Sequence, residues 1–474
     1  MRKLSLRARL EFNKGGTMEI HMIGHASLFV RTANLSILMD PVLWDPHQEG
    51  LFDVNPKREV KHDKLPPINL IILSHRHLDH FDIRSLAYLP KNAPILIPKD
   101  QLLEGYLRKL GFSKIQSLKD FTEVTIGATT LFTTRSENNV PEYGMVIQDG
   151  SGVFWNQVDS VVAPKTVEVV LSRFPQIDFL LACWQPMLET NFQTNGSLSF
   201  PYERYRDVLY NLSLASPRAL APGANAFCYS GGAAWMNHIV FPVTKDRFLN
   251  DVRGVLQNIG DNAFALEPGD VLLLEEHECR TLASGCDFVK RTGFSADLSF
   301  SPVNLQSRLE DDNPDGISSG ELESTVHDIM ESHLPDFIRK NENAFRLHHK
   351  AQVIYQLEVV FPAKTMQWNI DFRSDQPAVS AGHNSLANVF TSITSSSLHG
   401  IVSGARGWDY ALLGGYCRNF HKLYSVTLEG ILRADWFDLP DPLRLVYPYQ
   451  QIFEKVLDRE LERWSMPAEQ ARGA

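Results

Sequence analysis

The chain has 474 residues, 43% of them hydrophobic and 22% charged, with a net charge of −10. That length exceeds one ordinary hydrophobic core, so two domains are expected. The acidic balance argues against general binding to nucleic acid or to an anionic membrane, and no run approaches the roughly 20 apolar residues of a membrane helix.

The start, "MRKLSLRARLEF", is basic, but charges interrupt its apolar residues and no small-residue cleavage site follows, so it is not read as a secretory signal. Short β-type runs come next: "MEIHMIGHASLFVR", "LSILMDPVL", "INLIILSH", "APILIPK", "EVTIGATTLFTT", "YGMVIQ" and "GVFWNQVD". They mix alternation with fully apolar stretches, as strands do when one face meets a second sheet and the other carries helices. Helices are expected between them, for example over Asp82–Leu89 and Tyr202–Leu214. The fold class is therefore α/β, without regular βαβ alternation. Five scattered cysteines, Cys183, Cys228, Cys279, Cys286 and Cys417, form no CxxC pair, and a reducing cytoplasm is the expected location.

The densest chemistry lies in "IILSHRHLDHFD", residues 71–82. In an extended segment, residues two apart share a face, so His75 and His77 can grip one metal ion. Asp79 and His80 follow where the chain leaves the strand and can reach a second ion. With "GHASLFV" and "LMDP" upstream, this motif closely resembles the metallo-β-lactamase superfamily. The resemblance covers about residues 18–280 and implies an αββα sandwich with a dinuclear metal site at one sheet edge; the domain is drawn at 18–290. It implies His75, His77, Asp79 and His80 as ligands. Asp40 matches the buried aspartate that orients ligand histidines, and His25 a position near the metal in some branches.

The family then expects a third histidine, a bridging aspartate and a last histidine. Residues 81–237 contain no histidine, so the third ligand must be another residue type. The matching position falls in "TTRSENNVPEYG", where Glu137 is the assigned ligand and Glu142 the spare. Asp159, in "GVFWNQVDS", matches the bridging carboxylate. His238 is the best-placed histidine to close the second site, with His277 a remote spare. A carboxylate in place of an imidazole adds a hard anionic donor and favours iron over zinc. Mixed carboxylate–histidine pairs also serve O₂-activating di-iron proteins on helical scaffolds.

The same substitution marks a di-iron oxygenase branch of the superfamily, which includes a β-hydroxylase of chloramphenicol biosynthesis and a diterpenoid hydroxylase of platensimycin and platencin biosynthesis. "DGSGVFWNQVD" also resembles a segment of the CMP-sialic-acid hydroxylase family, which carries a Rieske domain. Here no C-x-H is paired with C-x-x-H, and about 17 residues precede the first strand, so electrons are expected from a separate donor protein. No GxGxxG follows a strand, so no nicotinamide or flavin site is expected. Trp155, Trp184 and Trp235 lie near the expected metal end, as core or as pocket lining.

"RLEDDNPDGISSGELEST" reads as an exposed boundary, so 291–345 is taken as a linker and connecting helix. A smaller α+β domain is expected over 346–465. Its "NVFTSITSSSLHGIVSGARGWDYALLGG" resembles the sterol-carrier (SCP2-like) fold, which encloses an apolar tunnel. The expected function is that of a non-haem di-iron monooxygenase. It would hydroxylate a C–H bond of a bulky, mainly apolar biosynthetic intermediate, such as a terpenoid or acyl thioester. The alternative is a dinuclear zinc hydrolase of an ester, lactone or phosphodiester. The oligomeric state is left open, a homodimer included.

Overall fold

The computed structural model describes residues 16–302, 309–433 and 439–464; the basic start lies outside them. The chain divides into two compact units. Of the described residues, the first holds 16–186, 202–228 and 243–297, and the second holds 187–201, 229–242 and those from 298 onward.

The first unit is built on two sheets. One has eight strands, ordered Glu278–Leu282, Val271–Glu275, Thr17–Gly24, Ser27–Arg31, Ser36–Met39, Leu70–Ile72, Ile95–Pro98 and Ile115–Leu118. The other has six, ordered Ala219–Pro222, Phe179–Ala182, Gly152–Asn156, Met145–Asp149, Thr129–Thr133 and Glu123–Ile126. Alternate residues of facing strands make the shared core: Met18, Ile20 and Met22, Ile37 and Met39, Leu70 and Ile72 meet Met145 and Ile147, Phe179 and Leu181. This period-two selection is the alternation visible in the sequence. Helix Ile83–Tyr88 starts where Asp82 accepts from Ser85 N–H, and Gln101–Lys109 where Asp100 accepts from Leu102 and Leu103 N–H. The outcome is the α/β sandwich expected.

Within each sheet a parallel group carries the site. Ser36–Met39, Leu70–Ile72, Ile95–Pro98 and Ile115–Leu118 run parallel in one, and Gly152–Asn156, Phe179–Ala182 and Ala219–Pro222 in the other. Parallel strands deliver their carboxyl ends to one edge, where ligands bind in open α/β sheets. Asp40, Ser74, Asp159 and Asn225 all lie just beyond such ends.

The second unit carries a five-stranded sheet, ordered Val379–Ala381, Thr365–Asp371, Ile354–Val360, Val389–Thr394 and Cys417–His421. The helix expected between the domains contributes to this unit's core through Leu322, Val326, Leu334 and Ile338. Helix Ser395–Ser403 ends at Gly404, whose φ of +72° lets its N–H turn back to cap the helix. Among the described residues, no helix is long and apolar enough to cross a membrane.

Candidate metal centre

Asp40 organises the site. It is fully buried, with Oδ1 accepting from Ser74 N–H at 2.7 Å and Oδ2 from the Ser74 hydroxyl at 2.7 Å. Oδ2 also lies 3.1 Å from His80 Nδ1. A carboxylate can only accept, so the shared proton sits on His80 Nδ1 and Nε2 is the nitrogen turned to a metal. Ser74 Oγ spends its one hydrogen on the bond to Asp40, so at 2.9 Å it accepts from His75 Nδ1. His75 is thereby set in the same tautomer. One aspartate, directly and through one serine, prepares two imidazoles as metal donors.

His25 is prepared the opposite way. Asn225 N–H donates to its Nδ1 at 3.0 Å, so the ring proton is on Nε2, which donates to Asp79 Oδ2 at 3.1 Å. His25, Asp79 and His80 have ligand-type atoms within 4.8 Å of one another, yet this tautomer makes His25 a support for Asp79. His25 (φ +52°), Asp40 (+41°), Val158 (+57°) and Asn225 (+71°) all hold left-handed backbone at this edge. Such conformations cost on the order of 1–3 kcal/mol each and gather at functional sites.

A second group joins His75, His80 and Asp159, again within 4.8 Å. His80 Nε2 lies 3.4 Å from Asp159 Oδ2 and 3.7 Å from Asp79 Oδ2. The His75 ring centroid is 4.1 Å from that of His80 and 4.5 Å from that of His77, which stands perpendicular to it and half-buried.

Four buried atoms here have no hydrogen-bond partner: His75 Nε2, His80 Nε2, Asp159 Oδ1 and Glu142 Oε1. An orphaned buried polar atom costs about 1–3 kcal/mol. The imidazole nitrogens of His75 and His80 and a carboxylate oxygen of Asp159, which converge within 4.8 Å, are donors that a divalent or trivalent cation takes; Glu142 lies outside that group. The residues fit a metal.

The sandwich is a metallo-β-lactamase fold. Residues 36–196 match the family model of the Beta-lactamase superfamily domain. A Mycolicibacterium smegmatis protein named as a Rieske 2Fe-2S iron-sulfur protein is 27% identical over 187 residues, which is 36% of this chain and 36% of that relative's length. The diiron β-hydroxylase CmlA of Streptomyces venezuelae is 17% identical, covering 57% of this chain and 54% of its own, with a TM-score of 0.38. An isothiocyanate hydrolase from Delia radicum gut bacteria is 20% identical, covering 54% and 98%, with a TM-score of 0.39.

On this metallo-β-lactamase scaffold the carboxylate loop departs from expectation. Glu137 points outward, 40% exposed, and pairs with Arg135 at 2.9 Å. Its charge is satisfied at the surface, so it does not reach the cluster. Glu142, the spare, is buried instead, with Oε2 accepting from Asn138 Nδ2 at 2.6 Å and Ser136 Oγ at 3.2 Å. Burial, then the negative charge of Asp159, push its carboxyl up to about 7.

The other groups show the same electrostatics. Burial pulls His75 down to about 4. His80 is also buried, yet Asp159 and Asp79 carry it well above the usual histidine range. Burial alone would raise Asp79 and Asp159, but the imidazoles, His80 foremost, hold both carboxylates low. Without a cation, the cluster keeps a proton on His80 in its place.

His238 belongs to the second unit, where its Nδ1 lies 3.1 Å from the Ser299 carbonyl oxygen. His277 faces the opposite end of the sheet, bonded to Asp178. Trp155 and Trp184 are buried core residues, the latter donating to the Ala224 carbonyl. Trp235, in the second unit, packs edge-on to Phe192.

Proposed function

We propose that the chain is a non-haem di-iron monooxygenase. The observation that carries the reading is Glu142, a buried carboxylate with an orphaned oxygen that feels the charge of Asp159, in the loop where the family's third histidine is expected. Its hard anionic oxygen favours iron, and added negative charge weakens the Lewis acidity a zinc hydrolase needs. His75, His77 and Glu142 would hold one ion and Asp79 and His80 the other, with Asp159 between; His238 is proposed as the ligand that closes the second site. Two irons there would supply reductive O₂ chemistry. The relative named as a Rieske protein supports a redox reading, because such a centre transfers electrons. A separate donor protein is the proposed source of the electrons.

The chain's own residues do the positioning. Asp40 holds the Nδ1 proton of His80 directly and that of His75 through Ser74, and His25 steadies Asp79 through Nε2–H. The substrate proposed is a bulky, mainly apolar intermediate, a terpenoid or an acyl thioester, with the second unit as an SCP2-like apolar partner domain.

Protein expressed with iron should hold about two irons per chain, as mixed carboxylate–histidine ligation favours, and show an antiferromagnetically coupled di-ferric Mössbauer spectrum. Two zincs, with ester or phosphodiester hydrolysis that survives iron removal, would establish the hydrolase instead.

A further inference from the structure

At the edge of the first unit opposite the metal centre lies a cavity of about 800 Å³. Asp178 immediately precedes strand Phe179–Ala182, whose other end leads to Cys183, so one strand length, about 13 Å, separates the two ends. Asp178 is 1% exposed. Its Oδ2 accepts from Val153 N–H at 2.8 Å and from His277 Nδ1 at 2.9 Å. Its Oδ1, buried at the cavity wall, has no hydrogen-bond partner; the nearest cation is Arg218, with Nε at 3.4 Å and a side chain 53% exposed.

The charges around this oxygen do not balance. Asp178 and Glu278 line the cavity, together with the carboxyl-terminal ends of helices Tyr202–Ala215 and Lys245–Val255. Each helix end is equivalent to about half a negative charge. Against them stands the guanidinium of Arg218. The surplus is negative, and Asp178 Oδ1, held by no hydrogen bond and only by the ion pair with Arg218, is the acceptor a further cation can take. Val255, Leu256 and Ile259 supply an apolar wall beside it.

We propose that this cavity binds a small aliphatic amine, its primary ammonium donating to Asp178 Oδ1 and its methylenes lying on Val255, Leu256 and Ile259. An ammonium offers three donors on a compact charge, whereas a metal ion would leave most of the volume unfilled. Arg218 is the resident cation that the ligand displaces.

Spermidine binding to the full chain, followed by isothermal titration calorimetry at about 150 mM salt so that surface charge is screened, tests this. Wild-type protein should bind saturably with one site. Arg218→Ala should bind roughly tenfold tighter, because a like charge leaves the site, and spermidine should raise its Tm more than that of wild type. Asp178→Asn should bind at least tenfold weaker. If circular dichroism shows that variant unfolded, Glu278→Gln in the Arg218→Ala background takes its place and should bind severalfold weaker. No saturable binding by Arg218→Ala, or an affinity indifferent to both carboxylate changes, overturns the proposal. Metal loading should leave these results unchanged, so they stand or fall apart from the metal centre.

Discussion

Replacing Asp40 by Asn changes one atom and should disable two metal ligands. Position 40 holds a left-handed φ of +41°, which asparagine tolerates, so the backbone need not move. Ser74 N–H requires an acceptor 2.7 Å away, which keeps the amide oxygen where Oδ1 was. The NH₂ group then replaces Oδ2, facing Ser74 Oγ and His80 Nδ1. Both must now accept. His80 moves its proton to Nε2, and the Ser74 hydroxyl turns to donate to His75 Nδ1, which moves that proton to Nε2 as well. Neither lone pair remains at the metal. Loss of an orienting partner costs about 10–100-fold in metal affinity for each ligand, so two should cost about 10²–10⁴-fold, or roughly 3–5 kcal/mol. Ser74→Ala breaks only the His75 arm and should cost about 10–100-fold. Chelator competition gives the affinities, and ¹⁵N spectra of the imidazoles give the tautomers. A folded Asp40→Asn variant with wild-type affinity and Nδ1–H rings on both histidines would refute this reasoning.

Glu142→Gln should reduce retained iron, whereas Glu137→Gln should not, since an exposed pair such as Glu137–Arg135 contributes about 0–1 kcal/mol; metal analysis after dialysis separates them. Glu142 also predicts a pH effect in the metal-free protein. Its folded value near 7 lies above its ordinary 4.5, so the fold bears no cost below the lower value. The cost grows as pH rises and reaches on the order of 3 kcal/mol above the higher one. Denaturant titrations should therefore show Glu142→Gln gaining on wild type from pH 5 to pH 8, and parallel curves would count against it. Because metal-free His80 holds a proton that a cation displaces, metal uptake near pH 7 should release protons, measurable by calorimetry in buffers of different ionisation enthalpy. His238→Ala should lower metal content from two ions to one; full occupancy would remove that residue from the ligand proposal.

The motif at 75–80 was legible because a dense histidine–aspartate pattern followed an apolar strand, and the core alternation of Ile37 and Met39 with Leu70 and Ile72 could be read directly. The carboxylate loop was not, because irregular backbone has no period to say which side chain turns inward. Glu137 has a surface partner two residues away in Arg135, whereas Glu142 abuts the buried Tyr143 and Met145. That contrast was the available signal. Ser74 went unassigned because a single hydroxyl before the motif announces nothing until its acceptor, 34 residues upstream, is placed against it. His238 lies in a segment whose membership of the second unit no local pattern reveals.

The division of the chain into interleaved pieces bears on how a ribosome can make this protein. Segments 187–201 and 229–242 belong to a unit whose main body, from 298 onward, is translated after the first unit is complete. At ordinary elongation rates, more than 200 further residues take about ten to forty seconds. Through that interval Phe192, Met236, Ile239 and Phe241, all buried in the finished fold, have no completed core to join. Synthesis from the amino terminus therefore leaves two apolar segments waiting, and chaperone demand should peak before the carboxyl-terminal third emerges.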